Sequence, residues 1–160
     1  MNKLKINLLL LLLYPLFAGA KEVNLSSPNK VLHVVVTAEK NVSMQVLHKE
    51  NVLFTVRDIY LDTDQGMLPK LNAKVHSIKK NAVDQIIVPE IKEKNSRIVD
   101  RYNEISLLFA DKTKLEIRLY DNGVAYRIST NCKGELTIFD EAADFAFDPS
   151  STLFFQKDAN

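Results

Sequence analysis

Past its first twenty residues the chain alternates apolar and polar positions in short runs, broken by Gly, Pro, Asn and Asp. A period of two sends successive side chains to opposite faces of a strand, so each run reads as a strand with one face toward a core. Val31–Thr37 is β-branched and almost continuously apolar, the pattern of a buried strand. Val42, Met44 and Val46, then Val52 and Phe54, predict a hairpin closed at Lys49-Glu50-Asn51. Val75–Lys80 and Val83–Val88 read as two strands joined by a turn at Lys80-Asn81-Ala82. Ile105, Leu107 and Phe109 alternate with Ser106 and Leu108, and Leu115, Ile117 and Leu119 face away from Glu116, Arg118 and Tyr120. Beyond Asp121-Asn122-Gly123 the alternation resumes, with Val124, Tyr126 and Ile128 opposite Ala125, Arg127 and Ser129. Asn-Gly between two such runs predicts a hairpin with a type I′ turn, which needs φ > 0 at both central residues. Leu136–Phe139 is read as a final strand after a turn at Gly134.

Helical periodicity is weak. The best helical candidate is Asp140–Phe147, too short to stand alone in water. Ser151–Asn160 reads as the middle of a further strand. Pro69 and Pro89 mark loops, and Gly66 closes an insertion that begins at Asp62. No repeat, low-complexity stretch or linker divides the chain. Short strands at this spacing predict an all-β fold, an antiparallel β-sandwich forming one domain or part of one.

The amino terminus follows a different logic. Lys3 and Lys5 precede the apolar run Ile6–Phe17, and Ala18-Gly19-Ala20 has the small-residue pattern of a cleavage site. The expectation is a signal peptide over residues 1–20, cut after Ala20, and an exported, periplasmic or secreted, mature domain over residues 21–160. A membrane-spanning helix needs about 20 apolar residues. This run is shorter and interrupted by Pro15, and no Cys stands at the cleavage point to carry a lipid, so no membrane partner is expected.

The whole chain has 21 Lys and Arg against 20 Asp and Glu, and loss of Lys3 and Lys5 with the leader turns the net charge from +1 to −1. That balance gives no electrostatic case for nucleic acid. The single cysteine, Cys132, excludes an internal disulfide and reads as a small buried apolar residue. The roughly 140 residues left after cleavage are enough to bury one core, so packing must supply the stability.

Candidate chemistry is sparse. Asp140, Glu141, Asp144 and Asp148 form the densest acidic stretch, but they lack the spacing and Gly turn of a calcium loop and read as a solvated edge or helix-start patch. His33, His48 and His76 are scattered over strands without metal-ligand spacing. No nucleophile elbow, P-loop or dinucleotide fingerprint occurs. Tyr102, Tyr120 and Tyr126 are the candidate carbohydrate contacts, as faces for sugar stacking, although tyrosines on a sheet more often pair across strands. Asn24-Leu25-Ser26 and Asn41-Val42-Ser43 fit a glycosylation sequon and are read as chance matches.

The order of several motifs carries a resemblance. Ser27-Pro28-Asn29-Lys30 before a β-branched strand is followed by Tyr102-Asn103-Glu104 leading into an apolar strand. Arg118-Leu119-Tyr120-Asp121-Asn122-Gly123-Val124-Ala125-Tyr126-Arg127 comes next, then Thr137-Ile138-Phe139-Asp140-Glu141-Ala142-Ala143-Asp144-Phe145 and the aromatic pair Phe154-Phe155. In this order they resemble the N-terminal domain of glycoside hydrolase family 97, with residues 31–80 similar only in pattern. The family commonly carries tryptophans around the segments matching Ile86–Ile91 and Phe154-Phe155, whereas this chain has none. Val99 stands where an Arg is usual, and Arg101 where a His often precedes the Tyr.

The resemblance implies part of a β-super-sandwich of the galactose-mutarotase type. In the family this sandwich packs on a catalytic (β/α)₈ barrel in an α-glycosidase acting on α-glucosides or α-galactosides. It implies a chain truncated before that barrel, a non-catalytic scaffold with the barrel as its partner. Calcium belongs to the full-length family enzyme, and no catalytic, metal or cofactor residue is carried over to this chain. Glu104, beside Arg101, is expected in a structural ion pair. An incomplete sandwich would leave the apolar faces of Val31–Val36 and Ile117–Leu119 without partners and make residues 21–160 prone to aggregate. The alternative reading is a stand-alone exported β-sandwich that binds carbohydrate or a protein.

Overall fold

The computed structural model describes residues 21–91 and 94–154. The expected signal peptide and residues 155–160, with half of the Phe154-Phe155 pair, lie outside the described residues. Nine strands and no helix appear among those described: β1 (Lys21–Ser26), β2 (Leu32–Ala38), β3 (Val42–His48), β4 (Asn51–Thr63), β5 (Val75–Ile87), β6 (Ile98–Phe109), β7 (Lys114–Leu119), β8 (Val124–Ser129) and β9 (Ile138–Phe147). They form two antiparallel sheets, one in the order β1-β2-β3-β4-β9 and one in the order β5-β6-β7-β8. The all-β sandwich is as the alternation predicts.

The two sheets meet through their alternate residues. Val34 and Val36 of β2, Met44 and Val46 of β3 and Val56 of β4 face Ile105, Leu107 and Phe109 of β6 and Leu115, Ile117 and Leu119 of β7, all buried in one cluster. Each such side chain contributes about 1.5–3 kcal/mol by leaving water. β1 lies over β6 and β2 over β7. The faces of Val31–Val36 and Ile117–Leu119 therefore cover each other, contrary to the expectation that they lack partners. Asn103 ties the layers by donating from Nδ2 to the Ser26 carbonyl at 2.7 Å, and Lys80 Nζ donates to the Asn24 carbonyl at 2.8 Å.

Several local expectations are corrected. Lys80-Asn81-Ala82 is no turn, because β5 runs unbroken and pairs with β6 from Val75 to Ile87. It is an edge strand, so polar residues can continue it without being buried. The β7–β8 hairpin is present, with Leu119 opposite Val124 and the Tyr120 N–H donating to the Gly123 carbonyl at 2.8 Å. Neither Asn122 nor Gly123 is at positive φ, so the turn is not type I′. Asp121 and Asn122 instead take the centre with Gly123 after them, an order that ordinary turns accept.

Asp140–Phe147 is a strand, not a helix. It pairs with β4 from Phe54↔Phe147 to Thr63↔Ile138, and that pairing overrides a weak local preference. The strand expected at Leu136–Phe139 begins only at Ile138, and residues 151–154 are outside any strand. After β9 a turn at Asp148–Ser151 reverses the chain instead, with the Ser151 N–H donating to the Asp148 carbonyl at 2.9 Å. Gly66, at φ +91°, does close a turn with Thr63, a backbone region that other residues rarely adopt. A register shift between Arg57 and Tyr60, with Asp58 at φ 53°, gives β4 the irregularity that bends a strand.

The edges are less well covered than the centre. β7 pairs with β6 only from Asn103 to Leu108, whereas β5 and β6 stay paired out to Ile87↔Ile98. Residues 83–87 and 98–102 thus form a two-stranded arm beyond the four-stranded sheet. Along β9, Ile138, Phe139 and Phe145 are exposed.

Candidate functional site

Alternation along β5, β6, β7 and β8 places one set of side chains on the outer face of the four-stranded sheet, in rows fixed by register. One row runs Ser77, Leu108, Lys114, Ser129; the next Lys79, Ser106, Glu116, Arg127; the next Asn81, Glu104, Arg118, Ala125. The face is an open trough of about 540 Å³ lined by Ser77, Lys79, Asn81, Glu104, Ser106, Glu116 and their neighbours. It is a polar, open concave surface, and each of these rows crosses all four strands.

Its carboxylates are already engaged. Glu116 accepts from Lys114 Nζ at 2.9 Å and from Arg127 Nη2 at 2.7 Å and Nε at 3.0 Å. Burial alone would raise its pKa, but the hydrogen bonds from Lys114 and Arg127 and their charges outweigh it and hold the carboxyl below its usual range. Glu104 accepts from Arg118 Nε at 2.7 Å. Its partner is thus the residue directly across on β7, not Arg101 as expected from the sequence, because Arg101 points to the opposite side of β6. The hydrogen bond to Glu104 raises the Arg118 guanidinium further above an already high value.

Arg101 reaches Asp121 at the hairpin tip. Asp121 also accepts the Asn29 N–H at 2.8 Å, and this bond, followed by the one from Arg101, lowers its pKa. Asn29 in turn belongs to a tight β1–β2 connection. There the Ser27 hydroxyl donates to Asn29 Oδ1 at 2.7 Å and accepts the Leu32 N–H at 3.0 Å. The Ser-Pro-Asn-Lys and Asp-Asn-Gly motifs, 92 residues apart, therefore meet as one latch between the two sheets.

The three tyrosines part company. Tyr102 lies at the end of the trough face with only 5% of its surface exposed. Its ring packs against Tyr120 at 5.1 Å between centroids, and the Arg118 guanidinium sits 4.6 Å above it. Burial pushes its phenol pKa up. Tyr126 is on the inner face, opposite Ile117, and donates its hydroxyl to Glu141 Oε1 of β9 at 2.9 Å. Burial first, then that bond to Glu141, raises its pKa to about 12. Sequence reasoning named Tyr102, Tyr120 and Tyr126 but missed Lys114 and Arg127 as the partners of Glu116. The signal was present: a hairpin that sets Leu119 opposite Val124 sets Glu116 opposite Arg127.

The acidic stretch disperses. Asp140 and Asp144 lie across from Asp62 and Arg57, Glu141 accepts from Tyr126, and Asp148 accepts from Ser150 in the turn beyond β9. The span from Asp140 to Phe147 alone is roughly 25 Å at about 3.3 Å per residue, far beyond one coordination sphere. Calcium, implied by the resemblance, takes six to eight oxygen ligands. Among the described residues no group of three or more His, Cys, Asp and Glu is placed to supply them. His33 instead hydrogen-bonds Ser26 Oγ through Nδ1 at 3.0 Å.

Fold and site together define an antiparallel β-sandwich domain whose charged face is knitted into its own sheet. The family model described as Glycosyl-hydrolase 97 N-terminal matches residues 25–160. The chain therefore belongs to the N-terminal domain family of glycoside hydrolase family 97. It is 26% identical over 152 residues to a retaining alpha-galactosidase of Bacteroides thetaiotaomicron, a match covering 95% of this chain and 23% of that protein. A glycoside hydrolase family 97 enzyme of Pseudoalteromonas sp. strain K8, solved in complex with panose, shares the fold at a TM-score of 0.71 and 15% identity, over 80% of this chain and 21% of that one. The same enzyme in complex with acarbose matches with a TM-score of 0.71 and 16% identity, over the same shares. The chain thus spans less than a quarter of the length of these relatives.

Proposed function

We propose that this chain is the non-catalytic N-terminal scaffold of an exported α-glycosidase, one hydrolysing α-glucosides or α-galactosides through a catalytic domain carried elsewhere in the polypeptide. The observation that carries this reading is the family match over residues 25–160 in a chain that spans 23% of a retaining alpha-galactosidase. The state of the carboxylates supports it. Glycoside hydrolysis uses two carboxyl groups about 5–9.5 Å apart, one of them held protonated as the general acid. Glu104 and Glu116 are diagonal neighbours on the trough face. Glu104 is bound to Arg118, and Glu116 is held ionised by Lys114 and Arg127, the reverse of what a general acid needs. The charged leader over residues 1–20 supports export, with the scaffold acting in the periplasm or outside the cell.

Reading the genomic locus past the codon for Asn160, with assays of both products on aryl α-galactosides and α-glucosides, tests the proposal. The expected result is an open frame whose extended product turns over one of these substrates, while the 160-residue chain turns over neither, with or without calcium. Turnover by the 160-residue chain that survives purification overturns the scaffold role. An extended product without activity on either class overturns the enzyme assignment.

A further inference from the structure

The arm formed by residues 83–87 and 98–102 is apolar on both faces at its far end. Ile86 pairs with Val99 on the side continuous with the core, and Ile87 pairs with Ile98 on the side continuous with the trough. Ile86 is 53% exposed and Val99 70%, and Val88 and Ile91 continue the apolar surface into the loop beyond. A flat docking surface requires one apolar face; this arm has two. A two-stranded hairpin is marginally stable by itself in water, and a patch of this kind on a soluble domain marks an interaction site. Behind this tip each face turns polar within the arm, at Gln85 and Asp100 on the trough side and at Asp84 and Arg101 on the core side, so the apolar surface is confined to the far end of the arm. The relatives matched by this chain carry about three quarters of their length outside the matched region, enough to supply a folded partner in the same polypeptide.

We infer that the β5–β6 arm is the element that docks the sandwich to the catalytic domain, inserting between two apolar surfaces of that domain. This rests on the scaffold reading above. Insertion explains what side-by-side packing does not, namely why both Ile86/Val99 and Ile87/Ile98 are left uncovered by the sandwich itself.

The test places a photo-crosslinking side chain at position 99 or 87 of the extended polypeptide, with position 79 on the polar trough as control, and maps products by mass spectrometry. The activity of the same protein on aryl α-galactosides and α-glucosides is measured in parallel. Cross-links from positions 99 and 87, but not 79, to peptides of the catalytic domain in an active protein support arm insertion. In an active protein, cross-links confined to the sandwich, whether within residues 21–160 or to further strands of it, or joining two copies of it, overturn the inference and leave the scaffold reading standing. Absence of activity from the unsubstituted extended polypeptide overturns the scaffold reading and the docking inference with it. A paired substitution, Ile86→Asp with Val99→Asp, adds a second readout. Proteolysis within residues 83–102 is expected to accelerate at least tenfold in the extended protein, and an unchanged rate counts against insertion.

Discussion

Ile117 and Val99 are both β-branched residues of the four-stranded sheet, and they meet opposite environments. Ile117 sits on β7 beneath β2 and has no exposed surface, whereas Val99 sits on the overhanging arm and is 70% exposed. Chemistry and secondary structure are alike at the two positions. What differs is whether a second layer lies above them. Alternation along a strand assigns a side chain to a face, but it says nothing about how far the opposite sheet extends.

The contrast can be broken most directly by truncation. Ile117→Ala is expected to cost about 2–5 kcal/mol, the transfer loss plus a cavity that the interlocked sheets cannot close. Val99→Ala should stay within about 0.5 kcal/mol, as at an ordinary surface position. Urea denaturation of the chain from Lys21 onward measures both. A comparable cost at the two positions would mean that the arm is packed in solution.

A smaller effect is expected at the seams that join the layers. Asn103→Ala removes the bond to the Ser26 carbonyl and leaves that acceptor in a partly buried place, at a cost of about 1 kcal/mol. An unchanged midpoint in the same denaturation series would show that the Asn103 bond adds nothing to the hold on β1. At the opposite seam, Tyr126 has a folded pKa of about 12 against about 10 for an unfolded tyrosine. Its contribution is complete below about pH 10 and is lost as the pH rises through 12. The stability difference between the native chain and Tyr126→Phe should therefore shrink across that window, and a difference constant from pH 8 to 12 would contradict the bond to Glu141.

Asp121 gives the finest test and has the opposite sign. Its folded pKa is depressed, so its contribution is present above the unfolded value of about 3.9 and disappears as the pH falls below it. Asp121→Asn should lower the melting temperature slightly at pH 6, with the gap closing as the pH falls below about 4. A gap that persists at pH 2 would locate the effect in the turn and not in the charge.

Much of the centre was legible from the sequence because alternation there coincides with burial. Leu115, Ile117 and Leu119, and the Lys49-Glu50-Asn51 connection, stand where the pattern sets them. The failures lie where an edge replaces the core as the organising influence. Lys80-Asn81-Ala82 looked like a turn because polar residues interrupt an apolar run, yet an edge strand needs no such run. Asp140–Phe147 looked helical because its own residues are indifferent, and only the distant strand β4 settles it. Lys21–Ser26 went unread as a strand, although Val23 and Leu25 alternate with polar residues and are both buried. Of the trough, the alternation of Glu116, Arg118 and Tyr120 on one face was legible. The choice of Arg118 over Arg101 for Glu104 required the register of β6 against β7.

The pairing of β4 with β9 has a consequence in time. Adjacent strands from β5 to β8 each close on the one before, so that sheet can assemble in the order in which the chain emerges. β4 cannot complete its pairing in that way. Between Thr63 and Ile138 lie roughly 75 residues, several seconds of synthesis at about 5–20 residues per second. During that interval one side of β4 presents open backbone donors and acceptors, so the young chain is most vulnerable to mispairing at Asn51–Thr63 until its last strand arrives.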